Sequence, residues 1–343
     1  MEIRMKMTAR EVYMRKRITA LLVVLVLLLT GCSGAQEEEK PAEIPFESDT
    51  VLIVGDKVVN LAKWYLYALP QYEETDRLYG SSIWDYVVDA RGTTMKTAVK
   101  GDIRSQIIYT EIVCSKADEL GIALTEEDNM DINLMTADYM DKLTPAMKTK
   151  YGITEDDVRA IYADNKLALK VYEYLTLNVD TTTTEKQVRN MILEYIPILK
   201  YYEGDDGEPV MYDESELKER STLALDYLDR VKADPDVTEL SQVTDETFVP
   251  ITVTADYSTL VEKLSEKIAD IAFSMKKGEI EGLFDSPDAY FILDCVESED
   301  EAATNAARIR IIEERQREYF AEKYERWSDE TAVRVNEEVW GTL

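Results

Sequence analysis

The stretch Ile271-Ala272-Phe273-Ser274-Met275-Lys276-Lys277-Gly278-Glu279-Ile280-Glu281-Gly282, followed by Ala289-Tyr290-Phe291-Ile292-Leu293, decides how this chain is read. Its first part closes a helical pattern that starts near Leu260, so one helix is predicted over Leu260–Met275. Gly278 ends that pattern. Gly278–Phe284 and Ala289–Val296 are then extended runs separated by Ser286-Pro287-Asp288, a turn composition. Upstream, Val188–Leu199 is apolar and β-prone, and Tyr202–Pro209 is a turn. Asp213–Lys232 is an amphipathic helix with Asp213 as N-cap and Glu216 three residues on, the capping-box spacing. Residues 185–298 therefore read as an α+β block.

Outward from this block the chain is mostly helical. Val51–Val54 and Lys57–Val59 flank Gly55-Asp56 and predict a small hairpin. Asn60 is placed to cap a helix carrying Leu61, Trp64, Tyr65, Ala68 and Leu69, which Pro70 kinks or ends. A long helix is predicted from Thr94 to Leu120, with Ile103, Ile107, Thr110, Cys114 and Ala117 on one face and Gly121 after its end. Thr125-Glu126-Glu127-Asp128 and Thr154-Glu155-Asp156-Asp157 are capping boxes that open helices near 129–142 and 155–175. Thr181–Thr184 is a linker. Glu301–Trp327 is a charged helix with Ile309, Ile312, Phe320 and Tyr324 as its buried side. A last strand is predicted at Thr331–Val335, returning to the hairpin, so that residue 333 lies near residue 53.

Composition narrows the chemistry. Among 343 residues there is no His, so there is no Ser-His-Asp triad, Cys-His dyad or His-ligated metal site. A formal net charge of -30 opposes nucleic-acid binding, which needs a basic footprint. No cofactor and no metal is expected. The acidic turn Glu203–Glu208 lacks the ligand spacing of a calcium loop. Cys114 and Cys295 are far apart and are expected to be buried free thiols.

The N-terminus carries Arg4, Lys6, Arg10, Arg15, Lys16 and Arg17, then the apolar run Ile18–Leu29, short of the roughly 18–20 residues that span a bilayer. Leu29-Thr30-Gly31-Cys32 resembles a bacterial lipobox. That resemblance implies a lipoprotein signal peptide over residues 1–31, lipid attachment at Cys32, and an acidic tether over 32–50. The protein would then sit on the extracytoplasmic face of the cell membrane, held by its lipid.

Two stretches resemble the SurA/PrsA-type family of extracytoplasmic foldases. Residues 51–180, with the hairpin, the aromatic-rich helix and the long helix ending Ala117-Asp118-Glu119-Leu120-Gly121-Ile122, are similar to that family's N-terminal chaperone region. The stretch quoted at the outset is similar to the end of a parvulin domain, the family's prolyl isomerase module. There a helix ends in a Lys-Gly-Glu-Ile turn, a strand follows, and the final strand carries a Gly-Tyr-His-type motif. The resemblance implies an α+β chain. A mostly helical chaperone module with a small N-terminal hairpin would hold an inserted parvulin-like domain at 185–298, with 301–343 returning to the module.

A parvulin site uses a His on its first strand and another on its last. Aligned by sequence, those positions are Met191 and Phe291, with Tyr290 beside the latter. The third polar position falls near Asp245 or Glu246. Met and Phe cannot replace hydrogen-bonded imidazoles, so the expectation is a degenerate isomerase domain kept for binding. The clients would be unfolded or newly secreted proteins, with Trp64, Tyr65, Tyr72, Met130 and Met135 as candidate contacts. Two other readings stay open: an active peptidyl-prolyl cis-trans isomerase using non-His groups, and a solute-binding lipoprotein of a transporter.

Overall fold

The computed structural model describes residues 44–234, 237, 239–242 and 248–343. Cys32, the tether up to residue 43, Asp245 and Glu246 lie outside the described residues. The chain divides into two compact units, Met1–Asn178 with Glu318–Leu343, and Val179–Arg317. No helix among the described residues is long and apolar enough to cross a membrane.

The first unit opens with β1 (Thr50–Val54) and β2 (Lys57–Asn60), an antiparallel hairpin turning at Gly55-Asp56. Asn60 then caps α1 (Leu61–Tyr79), its side chain accepting from the Lys63 amide at 2.8 Å. Pro70 lies inside α1 and does not end it. A 3-10 turn, Ser81–Asp85, follows, and α2 runs over Met95–Ser115 behind the cap Thr94. The predicted reach to Leu120 is a separate set of turns, closed at Gly121 with φ +69°, where Ile122 donates to the Ala117 carbonyl at 2.8 Å. Both predicted capping boxes are present, opening α3 (Glu126–Lys142) and α5 (Glu155–Thr176), with the short α4 (Pro145–Tyr151) between them.

The last part of the chain completes this unit's sheet. The strand β9 (Val333–Val335) pairs antiparallel with β1, Arg334 opposite Ile53 and Val333 opposite Val54, giving the order β2-β1-β9. The core gathers Val51, Leu52, Val59, Trp64, Ile103, Ile107 and Ile112. Each such side chain, fully buried, contributes on the order of 1.5–3 kcal/mol by leaving water. A second cluster packs Val113, Ala117, Ala168 and Val171 around Phe320.

The second unit holds a four-stranded antiparallel sheet of order β6-β3-β8-β7. Its strands are β3 (Asn190–Leu199), β6 (Ile251–Asp256), β7 (Ile280–Asp285) and β8 (Ala289–Glu297). A short helix, α6 (Glu185–Val188), precedes β3, and a two-stranded hairpin, β4 (Tyr201–Glu203) with β5 (Pro209–Met211), follows it. Next comes α7 (Glu214–Ala233), capped by Asp213 and Glu216 as predicted. One sheet face packs on α7 through Ile196, Ile198, Ile292, Tyr227 and Leu228. The other face packs through Met191, Leu193, Phe291 and Leu293 on α8 (Tyr257–Leu264) and α9 (Glu266–Ser274).

Three expectations are corrected here. The helix predicted over Leu260–Met275 is two helices, broken at Ser265, whose φ is +108°. Leu260, Leu264, Ile268 and Ala272 are all buried at four-residue spacing, so the apolar period runs through the break and conceals it. The strand β6 was unforeseen, because Ile251-Thr252-Val253-Thr254 is short and lies next to a polar run. In α10 (Glu301–Glu330), Ile309 is exposed rather than buried, and the division between units falls inside this helix, not before it.

Candidate functional site

The register of the second unit's sheet fixes which side chains meet. Pro197 lies opposite Phe291 across β3 and β8, and Phe291 lies opposite Phe284 across β8 and β7. One row along, Tyr195 lies between Ile251 and Leu293. The Tyr195 and Phe291 rings stand 6.2 Å apart. These residues share one face, because side chains alternate along each strand. Its members Ile251, Tyr195, Pro197, Phe291 and Phe284 carry one polar atom between them, the Tyr195 hydroxyl.

This arrangement separates Met191 from Phe291. Met191 is fully buried and six residues before Pro197 on β3, about 20 Å along an extended strand. The first-strand residue that faces Phe291 is Pro197. Tyr290 points to the opposite face, against α7, with the Lys200 ammonium 4.3 Å from its ring centre. A proline has no side-chain donor or acceptor, so the pair Pro197–Phe291 offers less acid–base chemistry than the aligned Met–Phe pair did.

A buried pair of carboxylates lies on the α7 face. Glu194 and Asp294 stand directly opposite each other across β3 and β8, and both are buried. Asp294 Oδ2 accepts from the Leu240 amide at 2.9 Å. Glu194 accepts from the Ser241 amide at 2.8 Å and from the Thr252 hydroxyl at 3.1 Å. Asp294 Oδ1 is buried with no hydrogen-bond partner. Burial, and then the adjacent Glu194, push the Asp294 carboxyl up to about 6. The pair anchors the turn Leu240–Gln242.

Both thiols are held in the protonated form. Cys114 and Cys295 are free, and burial with neighbouring carboxylates pushes their pKa values to about 12 and about 11. Among the described residues no group of three or more His, Cys, Asp or Glu side chains could hold a metal ion.

In the first unit the structure sorts the candidate contacts. Trp64 is fully buried, stacked edge-on against Trp340 at 5.2 Å, and cannot meet a client. Tyr65 is half-buried and packs on Tyr151 at 4.3 Å. Tyr72 is half-buried against Trp84, whose Nε1 donates to Asp76 at 2.8 Å. Met130 and Met135 are both exposed, but five residues apart on α3 they lie on different sides of the helix.

Exposed apolar side chains run over residues 78–88; the tyrosines among them, Tyr79 and Tyr86, were legible in the sequence as possible peptide contacts, whereas Leu78, Val87 and Val88 were not. Leu78, Tyr79, Tyr86, Val87 and Val88 are all exposed, with Tyr86 at 62% and Val87 at 51%. The 3-10 turn and a single bridge between Val87 and Thr94 hold this segment out on the surface. The turn Asp89–Thr93 braces it: Asp89 accepts from the Arg91 and Thr93 amides and the Thr93 hydroxyl, which holds its carboxyl down at about 2. The available signal was Tyr86-Val87-Val88 following a helix breaker without helical periodicity.

No family model matches this chain, and no curated protein matches it. Among solved structures it is similar to the foldase protein PrsA from Lactococcus lactis, with 12% identity, 86% of this chain and 97% of that chain covered, and a TM-score of 0.32. It is also similar to the peptidylprolyl isomerase PrsA from Bacillus cereus, with 15% identity, 82% and 92% covered, and a TM-score of 0.29. A third is one of two related SurA-like chaperones, PEB4 and Cj1289, from Campylobacter jejuni, with 12% identity, 84% and 99% covered, and a TM-score of 0.29. At such TM-scores the case for function rests on the residues themselves.

Proposed function

We propose that this protein is an extracytoplasmic chaperone of the foldase type, anchored by lipid at Cys32, that holds unfolded or newly secreted proteins by reversible apolar contact. The observation that carries the reading is the exposed set Leu78, Tyr79, Tyr86, Val87 and Val88. Clustered exposed apolar side chains mark interaction surfaces more often than isolated ones do. Tyr adds an amphipathic contact suited to varied partners. The acidic surface limits self-association of a protein that keeps such a patch exposed.

In this reading the second unit binds or spaces and does not isomerise. Where Phe291 meets the first strand it finds Pro197, and neither side chain can hydrogen-bond a twisting imide; the nearby Tyr195 hydroxyl is a single group, not a pair of imidazoles. The solute-binding alternative is not favoured: the first unit is helical around a three-stranded sheet, not a lobe of repeated strand–helix units.

The test uses soluble protein starting at residue 33. It is expected to suppress aggregation of an unfolded client at near-stoichiometric ratio, and Tyr86→Ser with Val87→Ser is expected to weaken that protection. The same protein is expected to leave unchanged the slow phase of a client limited by proline isomerisation, which takes tens to hundreds of seconds. Acceleration at substoichiometric protein would establish the isomerase reading instead. Absence of protection across several clients would remove the chaperone reading.

A further inference from the structure

We propose that the outward face of α3 is a docking surface for cationic amphipathic segments. The inner face of this helix is fixed: Ile132 and Thr136 are buried, and Asp128 is bound by Lys166 at 3.2 Å and Lys170 at 2.6 Å on α5. At 100° per residue the opposite side carries Met130, Leu134, Ala137 and Asp141 in one line. Met130 is 60% exposed and Leu134 70%, one turn apart. The fold gains nothing from either side chain, since both stand on the solvent side of a helix whose packing is complete without them.

Carboxylates border that apolar pair. Glu126, Glu127, Asp131, Asp138 and Asp141 are all exposed on the same side or its flanks. Asp138 is paired with Lys142 at 2.5 Å, and among the described residues the other four make no ion pair. A neutral or acidic segment laid over Met130 and Leu134 would bring these carboxylates toward uncharged or like-charged groups. A segment with apolar residues one turn apart and Lys or Arg beside them covers the two side chains and meets the carboxylates with opposite charge. The unbranched Met130 adapts to varied apolar shapes, which suits a surface that takes more than one sequence.

The inference rests on the chaperone reading and specifies which segments of a client this face takes. Its test uses soluble protein starting at residue 33 and two short synthetic peptides of identical leucine pattern at helical spacing, one with Lys and one with Glu at the remaining positions. The Lys peptide is expected to bind, with affinity falling as salt is raised and the Debye length shrinks. Met130→Ser with Leu134→Ser is expected to weaken it by at least about tenfold. Both residues are exposed, so the variant keeps the helical content and unfolding midpoint of the parent. Equal binding of the two peptides, or binding of the Lys peptide untouched by the double substitution, overturns the proposal. Aggregation protection of an acidic client, measured alongside, separates the two claims. Protection without charge preference removes this surface and leaves the chaperone reading. Lys-peptide binding through α3 without protection keeps the surface and removes that reading.

Discussion

Trp64 and Leu134 show how residue type and residue environment part company. An aromatic on an amphipathic helix invites a binding role, yet Trp64 is in the middle of the core. Leu134, on a helix dense with carboxylates, invites no attention and is 70% exposed. Helical periodicity tells which residues share a face but not how wide the buried stripe is, so the sequence placed both helices and neither of these roles. Trp64→Ala is expected to cost about 3–5 kcal/mol of stability, in the range for large buried aromatics. A urea unfolding series checks this, and an unchanged midpoint would contradict the burial. Met191 does not face Phe291 for a related reason: the partner of Phe291 is set by cross-strand register, and that selects Pro197.

At the scale of elements, caps and turns were the legible part. Asn60, Thr125, Thr154 and Asp213 all cap the helices expected of them, because capping is a contact between near neighbours in sequence. The break at Ser265 was illegible, since a serine with φ +108° is sustained by its surroundings and not by its own preference. Ser265→Gly is expected to raise the stability of the second unit by up to about 1 kcal/mol, read from the denaturation midpoint.

Asp294 gives that sheet a pH dependence. A carboxyl with a folded pKa near 6, above its usual value near 4, stabilises the fold while it keeps its proton. That contribution is complete below pH 4 and is lost as pH rises through about 6. Asp294→Asn is expected to reduce the fall in stability of the second unit between those limits, because the amide stays neutral beside Glu194. Midpoints measured at both ends of that window, parent against variant, decide it. Parallel slopes would mean that Asp294 is not the group behind the fall.

For the whole molecule, the return of the strand near Val333 to the hairpin at Val51–Val59 was expected from the order of elements, and β9 pairs with β1. The boundary inside α10 was not, since a helix of uniform charge pattern carries no mark where its packing partners change. Truncation after Glu330 removes β9 and is expected to leave the second unit folded while exposing the β1 edge of the first. Amide exchange at Leu52–Val54 should then become fast while Leu193–Ile198 stays protected.

The pairing of β1 with β9 also sets a timetable. A chain made amino end first presents β1 long before β9, so the first unit waits for its third strand until the whole of the second unit has been made. The second unit needs nothing beyond Arg317 and can close before then. During that interval the first unit has an open sheet edge, the condition of the clients proposed for this protein.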